Sequence, residues 1–340
     1  MTLRPGLYER LVDCELDALL RSLPAAKEAA IRERLIGAEA PLLLARYLLP
    51  LLRQAVEEIP VEERLLRGRD LVNRIVGEIA RFHGDPTWES HALISPLDLL
   101  LEVPGWAGEG LPAFGLPREK GGSPRPLTGL SENTLLTGAP SDPSLASELE
   151  KEIRTASRID WMVSFLRWSG LRLLLPALQE AAERGVPLRV VTTTYMKATE
   201  PRCLDELSSL PNTEIRLSLD EAETRLHAKA YLFHRETGFS TGYIGSSNTS
   251  RTAFTTGLEW NVKIAARLSP DLWEKVSASF ESAVNRDDLV LYGEATRSMV
   301  LARLEESGES FRGGLPDLSL RPYPFQEEIL ERLEVERTDH

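Results

Sequence analysis

A chain of 340 residues with 40 Lys and Arg against 52 Asp and Glu carries a net charge of −12 at neutral pH. Its length calls for two domains. Its acidity excludes a surface that grips nucleic acid everywhere, because neutralising phosphates takes a local excess of cations. No run of about 18 apolar residues and no basic-then-apolar leader occurs, so a cytoplasmic location without a membrane partner is expected.

Residues 1–83 read as a small helical N-terminal domain. The stretches GLYERLVDCELDALLRSL, PAAKEAAIRERLIGAEAPLLLARYLLPLLRQAVEEI and VEERLLRGRDLVNRIVGEIARF repeat apolar residues three and four apart. Pro24 and Pro60 suit first turns, whereas Pro41 and Pro50 are expected to break or kink the middle stretch. Residues 84–128 form a Pro- and Gly-rich connection with a boundary near residue 125. Its aromatics Trp88, Trp106 and Phe114 read as loop side chains pinned to their own domain rather than as base-stacking groups. Cys14 and Cys203 match no metal-ligand or redox spacing, so neither a disulfide nor zinc is expected.

Residues 129–292 alternate. A helix at about 143–157 precedes the strand RIDWMVSFL, a helix at about 170–184 the strand PLRVVTTTY, and a helix near 201–209 the strands EIRLSL, RLHAKAYLFH, TGYIGSSN and GLEWNVKIAA. A helix at about 270–287 follows. This order predicts an α/β domain with a mixed sheet covered by helices. Residues 293–340 read as a helical tail.

The chemistry concentrates in RLHAKAYLFH. Residues two apart on a strand share a face, so His227, Lys229, Tyr231 and Phe233 point one way and Ala228, Ala230, Leu232 and His234 the other. With five His and seven Lys in the chain, a His-x-Lys arises by chance often enough that its continuation matters more. TGYIGSSN ends in a turn whose Ser246, Ser247 and Asn248 offer hydroxyls, an amide and backbone N–H groups to an anion. GLEWNVKI sets Glu259, Asn261 and Lys263 on one face and Trp260, Val262 and Ile264 on the other. A carboxylate such as Glu259 near His227 would fix the imidazole tautomer. Between residues 225 and 263 the basic Arg225, Lys229, Arg235, Arg251 and Lys263 outnumber Glu236 and Glu259, a local basic patch in an acidic chain. Arg251 is a candidate contact to a neighbouring phosphate, and Ser164, Thr194 and Tyr195 sit at strand ends where a structural role is expected.

HAK followed by YIGSSN and GLEWNV resembles the phospholipase D superfamily, whose motif is His-x-Lys-x4-Asp with a downstream Gly-Ser-x-Asn. The likeness spans roughly residues 130–290 and is nearest to the nuclease branch that uses a downstream Glu. The family's Asp position holds His234 here. The resemblance implies a phospholipase D-like mixed sheet flanked by helices, and a metal-independent phosphodiesterase acting on nucleic acid with no cofactor; DNA is the more expected partner, with RNA left open. It makes His227, Lys229, Asn248 and Glu259 the catalytic set and Ser246, Ser247 and Arg251 the substrate-binding set. Family chemistry uses two His-x-Lys copies and this chain has one, so a homodimer sharing one site and a phosphohistidine intermediate are expected.

LRPYPFQEEILERLEVER resembles the segment that opens the motor of superfamily 2 helicases, with Gln326 in the place of the adenine-reading glutamine. No nucleotide loop follows, so the expectation is a nuclease module of a larger helicase whose C-terminal motor is its partner. Two other readings stay open: a catalytically weak or inactive DNA-binding and dimerisation module, with His234 as the sign of weakened activity, and a phospholipid-type enzyme, disfavoured by the single motif.

Overall fold

The structure, a computed structural model, describes residues 7, 10–22, 32–37, 40–103, 123–194, 198–219, 226–255 and 257–306. Trp106, Phe114, Tyr195, Arg225 and Gln326 lie outside them. The chain divides into two compact units, Met1–Leu101 and Glu102–His340.

The first unit is helical, with α1 (Cys14–Ser22), α2 (Ala40–Glu57), α3 (Arg64–His83) and a 3-10 turn at Pro86–His91. The middle stretch is broken near Pro41, where residues 32–37 lie outside any helix and α2 begins at Ala40, while Pro50 lies inside α2 without ending it. A first-turn proline loses no intrahelical hydrogen bond. Trp88 stacks on His83 with ring centroids 5.6 Å apart, a loop aromatic held by its own unit as anticipated.

The second unit contains one eight-stranded sheet in the order β1-β7-β6-β5-β2-β3-β4-β8. Its strands are β1 (Thr134–Leu136), β2 (Arg158–Met162), β3 (Leu188–Thr193), β4 (Thr213–Ser218), β5 (Ala230–His234), β6 (Thr241–Gly245), β7 (Asn261–Ala265) and β8 (Leu289–Leu291). β2, β3 and β4 run parallel to one another, and the remaining neighbours are antiparallel. The helices are α4 (Leu145–Thr155), α5 (Trp168–Glu183), α6 (Pro201–Ser208), α7 (Arg251–Thr255), α8 (Pro270–Val284) and α9 (Glu294–Glu306).

Strand alternation builds a core on each face. One face turns Trp161, Val190, Leu217, Tyr231 and Tyr243 into the main core, against Leu149 and Ile153 of α4, Leu174 of α5, Leu204 of α6 and Val300 of α9. The other turns Met162, Val191 and Leu232 against Phe280 and Val284 of α8. Val300 and Leu304 sit in the main core, so the described part of the C-terminal tail packs with the sheet.

Two glycines set the close approaches that shape one rim of this sheet. A Cβ on Gly170 would lie 2.5 Å from the Ser250 nitrogen, and one on Gly245 would lie 2.0 Å from the Trp260 carbonyl oxygen. Glycine lets the start of α5 and the end of β6 meet the chain at Ser250 and Trp260.

Candidate active site

The parallel strands β2, β3 and β4 end along one rim of the sheet, where β6 also ends and β5 and β7 begin. Open α/β sheets bind ligands outside such carboxyl ends. His227 and Lys229 lead into β5, Ser246 to Ser250 leave β6, Glu259 and Trp260 lead into β7, and Ser164 leaves β2. Residues remote in sequence thus meet here because the topology folds their strands to the same edge.

His227 and Lys229 precede β5 instead of lying within it, a difference from the expected strand at 225–234. The Lys229 ammonium donates to the His227 carbonyl oxygen at 2.6 Å and lies 3.3 Å from His227 Nδ1. That bond occupies a carbonyl that a strand would give to its ladder. His227 is exposed, and its Nε2 has no hydrogen bond among the described residues. Partial burial draws the Lys229 pKa below its ordinary value, while the nearby Glu259 charge works against that shift.

Asn248 is fixed by its side-chain oxygen, which accepts the backbone N–H groups of Ser164 at 3.0 Å and Phe165 at 3.3 Å. Its Nδ2 has no hydrogen bond among the described residues and is the amide's remaining donor. Glu259 accepts the Ser246 hydroxyl proton, and Ser246 Oγ in turn accepts the Trp260 N–H at 3.1 Å. The expected hydrogen bond from Glu259 to His227 is absent, because the carboxylate is engaged with Ser246 and acts on Lys229 through its charge.

Ser247 does not reach the rim surface. It is fully buried, its hydroxyl accepts from Asn261 Nδ2 at 2.8 Å, and its carbonyl accepts the Tyr231 hydroxyl at 3.1 Å. Its place is to anchor the turn that carries Ser246 and Asn248. Tyr231 and Asn261 were not assigned to the site on sequence, although their alternation with Lys229 and Glu259 already placed them on the same faces. Arg251 is exposed at the start of α7, its N–H bonded to Ser169 Oγ at 3.4 Å.

The basic patch counted along the sequence is largely internal. Lys263 is fully buried and Arg235 has 6 % of its side chain exposed; both pair with the buried Glu152 of α4, at 3.2 Å and 2.5 Å. Glu152 also accepts from Thr241 at 2.7 Å and Tyr243 at 3.0 Å. Lys263 further donates to Thr128 and Gly129, while Glu148 accepts from Leu127 and Thr128. These charges tie segment 127–129 to the sheet and leave Lys229 and Arg251 as the patch's described cations outside the core.

His234 lies at the far end of β5 and on the opposite face from Tyr231. Its Nε2 is 2.7 Å from Asp160, which Arg189 clamps at 2.7 and 2.8 Å. The residue at the motif's Asp position therefore belongs to an ion cluster beneath α8, on the face opposite Tyr231. Burial pushes the Cys203 thiol up to about 12, the behaviour of an inert core thiol.

The fold is a mixed sheet flanked by helices with its candidate site on the carboxyl rim, which is a phospholipase D-like architecture. Residues 149–284 match the family model "Cardiolipin synthase, PLD-like domain", so the chain contains a PLD-like domain, of a superfamily of phosphodiesterases. Among solved structures, Nuc of Salmonella typhimurium, a phospholipase D family member, is 20 % identical at a TM-score of 0.36, over 47 % of this chain and 99 % of that chain. NucT from Helicobacter pylori is 18 % identical at a TM-score of 0.34, over 44 % of this chain and 94 % of that chain. Phosphatidylserine synthase of Haemophilus influenzae is 11 % identical at a TM-score of 0.35, over 53 % of this chain and 46 % of that chain. No curated protein matches. No helix among the described residues is long and apolar enough to cross a membrane.

Proposed function

We propose that this domain is a metal-independent phosphodiesterase acting on nucleic acid, working as a homodimer. The observation that carries the reading is the convergence of an exposed imidazole, an ammonium and an amide donor on one rim, with a carboxylate acting on that ammonium. His227 Nε2 attacks phosphorus, and a P–N bond forms as the bond to the leaving oxygen breaks. His227 of the partner subunit gives that oxygen its proton. Water then attacks the phosphohistidine, passes a proton to the partner imidazole and releases the second product.

Lys229 and Asn248 Nδ2 bind the phosphoryl oxygens, where their charge and dipole act on the transition state. In the free protein Lys229 faces Nδ1, which makes that nitrogen an acceptor and leaves the ring proton on Nε2. Attack requires the opposite tautomer. The substrate phosphate draws the ammonium away, Nδ1 takes the proton, and Glu259 is the carboxylate at hand to receive its hydrogen bond. Ser246 holds Glu259 until then. The likeness of the residues around Gln326 to a helicase segment supports a helicase motor as the domain's partner.

The test is incubation of purified protein with single- and double-stranded DNA in EDTA, beside His227→Ala. Cleavage by the parent alone, with label trapped on His227, is expected. Activity that returns only with magnesium, equal cleavage by the variant, or a strict monomer at full activity would each overturn the mechanism. Turnover of phosphatidylglycerol vesicles in place of DNA would assign the chemistry to lipid.

A further inference from the structure

Trp260 has 66 % of its surface exposed and is the exposed aromatic of the second unit among the described residues. Large aromatics with one uncovered face normally sit at interfaces. Its position is fixed by the site. Gly245 pairs with Asn261, so the register places Ser246 directly opposite Trp260. Their backbones are joined by Ser246 N–H to the Trp260 carbonyl at 3.1 Å, and the Trp260 N–H bonds Ser246 Oγ at 3.1 Å. Trp260 thus follows directly on Glu259, and its backbone is held by the same Ser246 hydroxyl that bonds Glu259.

We infer that Trp260 is a stacking platform for the nucleobase next to the scissile phosphate, and that the substrate strand is unpaired there. The inference rests on the nucleic-acid reading above and adds its substrate class. A base in duplex is covered on both faces by its neighbours, so only a single strand can lay one on the indole. Every base has a π-face, so this contact selects strandedness and not sequence. Leu258, Val262 and Leu135 are also exposed, and Leu135 lies opposite Val262 on β1; they extend the platform as an apolar floor.

The experiment compares full-length parent, Trp260→Ala and Trp260→Phe for affinity to a labelled single-stranded oligonucleotide and to an abasic strand of equal length. Stacking is worth about 1–3 kcal/mol per base, so Trp260→Ala should weaken binding of the normal strand about 5- to 150-fold. It should also collapse the parent's preference for normal over abasic strand, and Trp260→Phe should restore most of that preference. An unchanged preference in Trp260→Ala overturns the inference. So does a lower solution mass in Trp260→Ala with that preference retained, which would make the patch a protein interface. A parent that binds in this Trp260-dependent way yet cleaves nothing would uphold the platform and sink the catalytic reading.

Discussion

The side-chain oxygen of Asn248 accepts the backbone N–H of Ser164 at 3.0 Å, across 84 residues of sequence. One amide thereby joins the turn after β6 to the end of β2 and aims its own NH2 with the same bond. Asn248→Asp keeps the acceptor and removes the donor. It should melt near the parent while losing most turnover, since a carboxylate would repel the phosphate. Asn248→Ala strands two N–H groups in a partly buried site and should cost about 1–3 kcal/mol. Thermal melts beside single-turnover rates separate the two effects.

Glu259 is a source of charge for Lys229. Its field holds the ammonium's pKa higher than burial alone would, so Glu259→Gln must lower that pKa further. If Lys229 works as a cation, the alkaline limb of the pH–rate profile moves to lower pH in the variant. An alkaline limb that stays in place would show that Lys229 does not set it.

Much of this site could be read from the chain because strands alternate. His227 with Lys229, and Glu259 with Asn261, stay two apart where the chain enters β5 and β7, and the Gly-Ser-Ser-Asn turn announces itself. The short β1, β8 and α7 carry too few residues for a period to emerge. The fate of Lys263 and Arg235 was hidden for another reason: a charge count does not see a partner on α4. The signal was nonetheless there. Glu148 and Glu152 lie four apart on the helix face of Leu145, Leu149 and Ile153, and carboxylates on an apolar face need buried donors or cations.

His234→Asp would restore the motif and damage the fold. The new carboxylate would enter a cluster that already contains Asp160 and Glu281, so a loss on the order of 1–3 kcal/mol is expected in urea unfolding. Cleavage per folded molecule should stay at the parent's level. A large gain in turnover would restore the motif's Asp to the chemistry.

The same cluster gives the protein an acid-labile element. Burial raises the Asp160 pKa, but hydrogen bonds from His234 and Arg189 and the charges of His234 and Arg158 outweigh it and hold the carboxyl below its ordinary value. Its ion pairs contribute stability above the ordinary carboxylate range, and that stability disappears as pH falls through the depressed value. Asp160→Asn should flatten this acid limb in unfolding free energy measured against pH.

Lys263 and Glu152 offer the sharpest test of the internal charges. Both are fully buried, and burial pulls the Lys263 pKa down while Glu152 pushes it back up. Lys263→Met removes one member and leaves Glu152 with Arg235 alone, so a loss of about 3 kcal/mol is expected, the low end for breaking a buried pair. The ties to Thr128 and Gly129 vanish as well, and amide exchange at residues 127–129 should rise before the rest of the sheet. Lys263 stands two residues from Asn261, which anchors Ser247 in the Gly-Ser-Ser-Asn turn. Turnover in Lys263→Met should therefore fall more than the folded fraction does. A fall that matches the folded fraction would show that the network holds the domain together without tuning the rim.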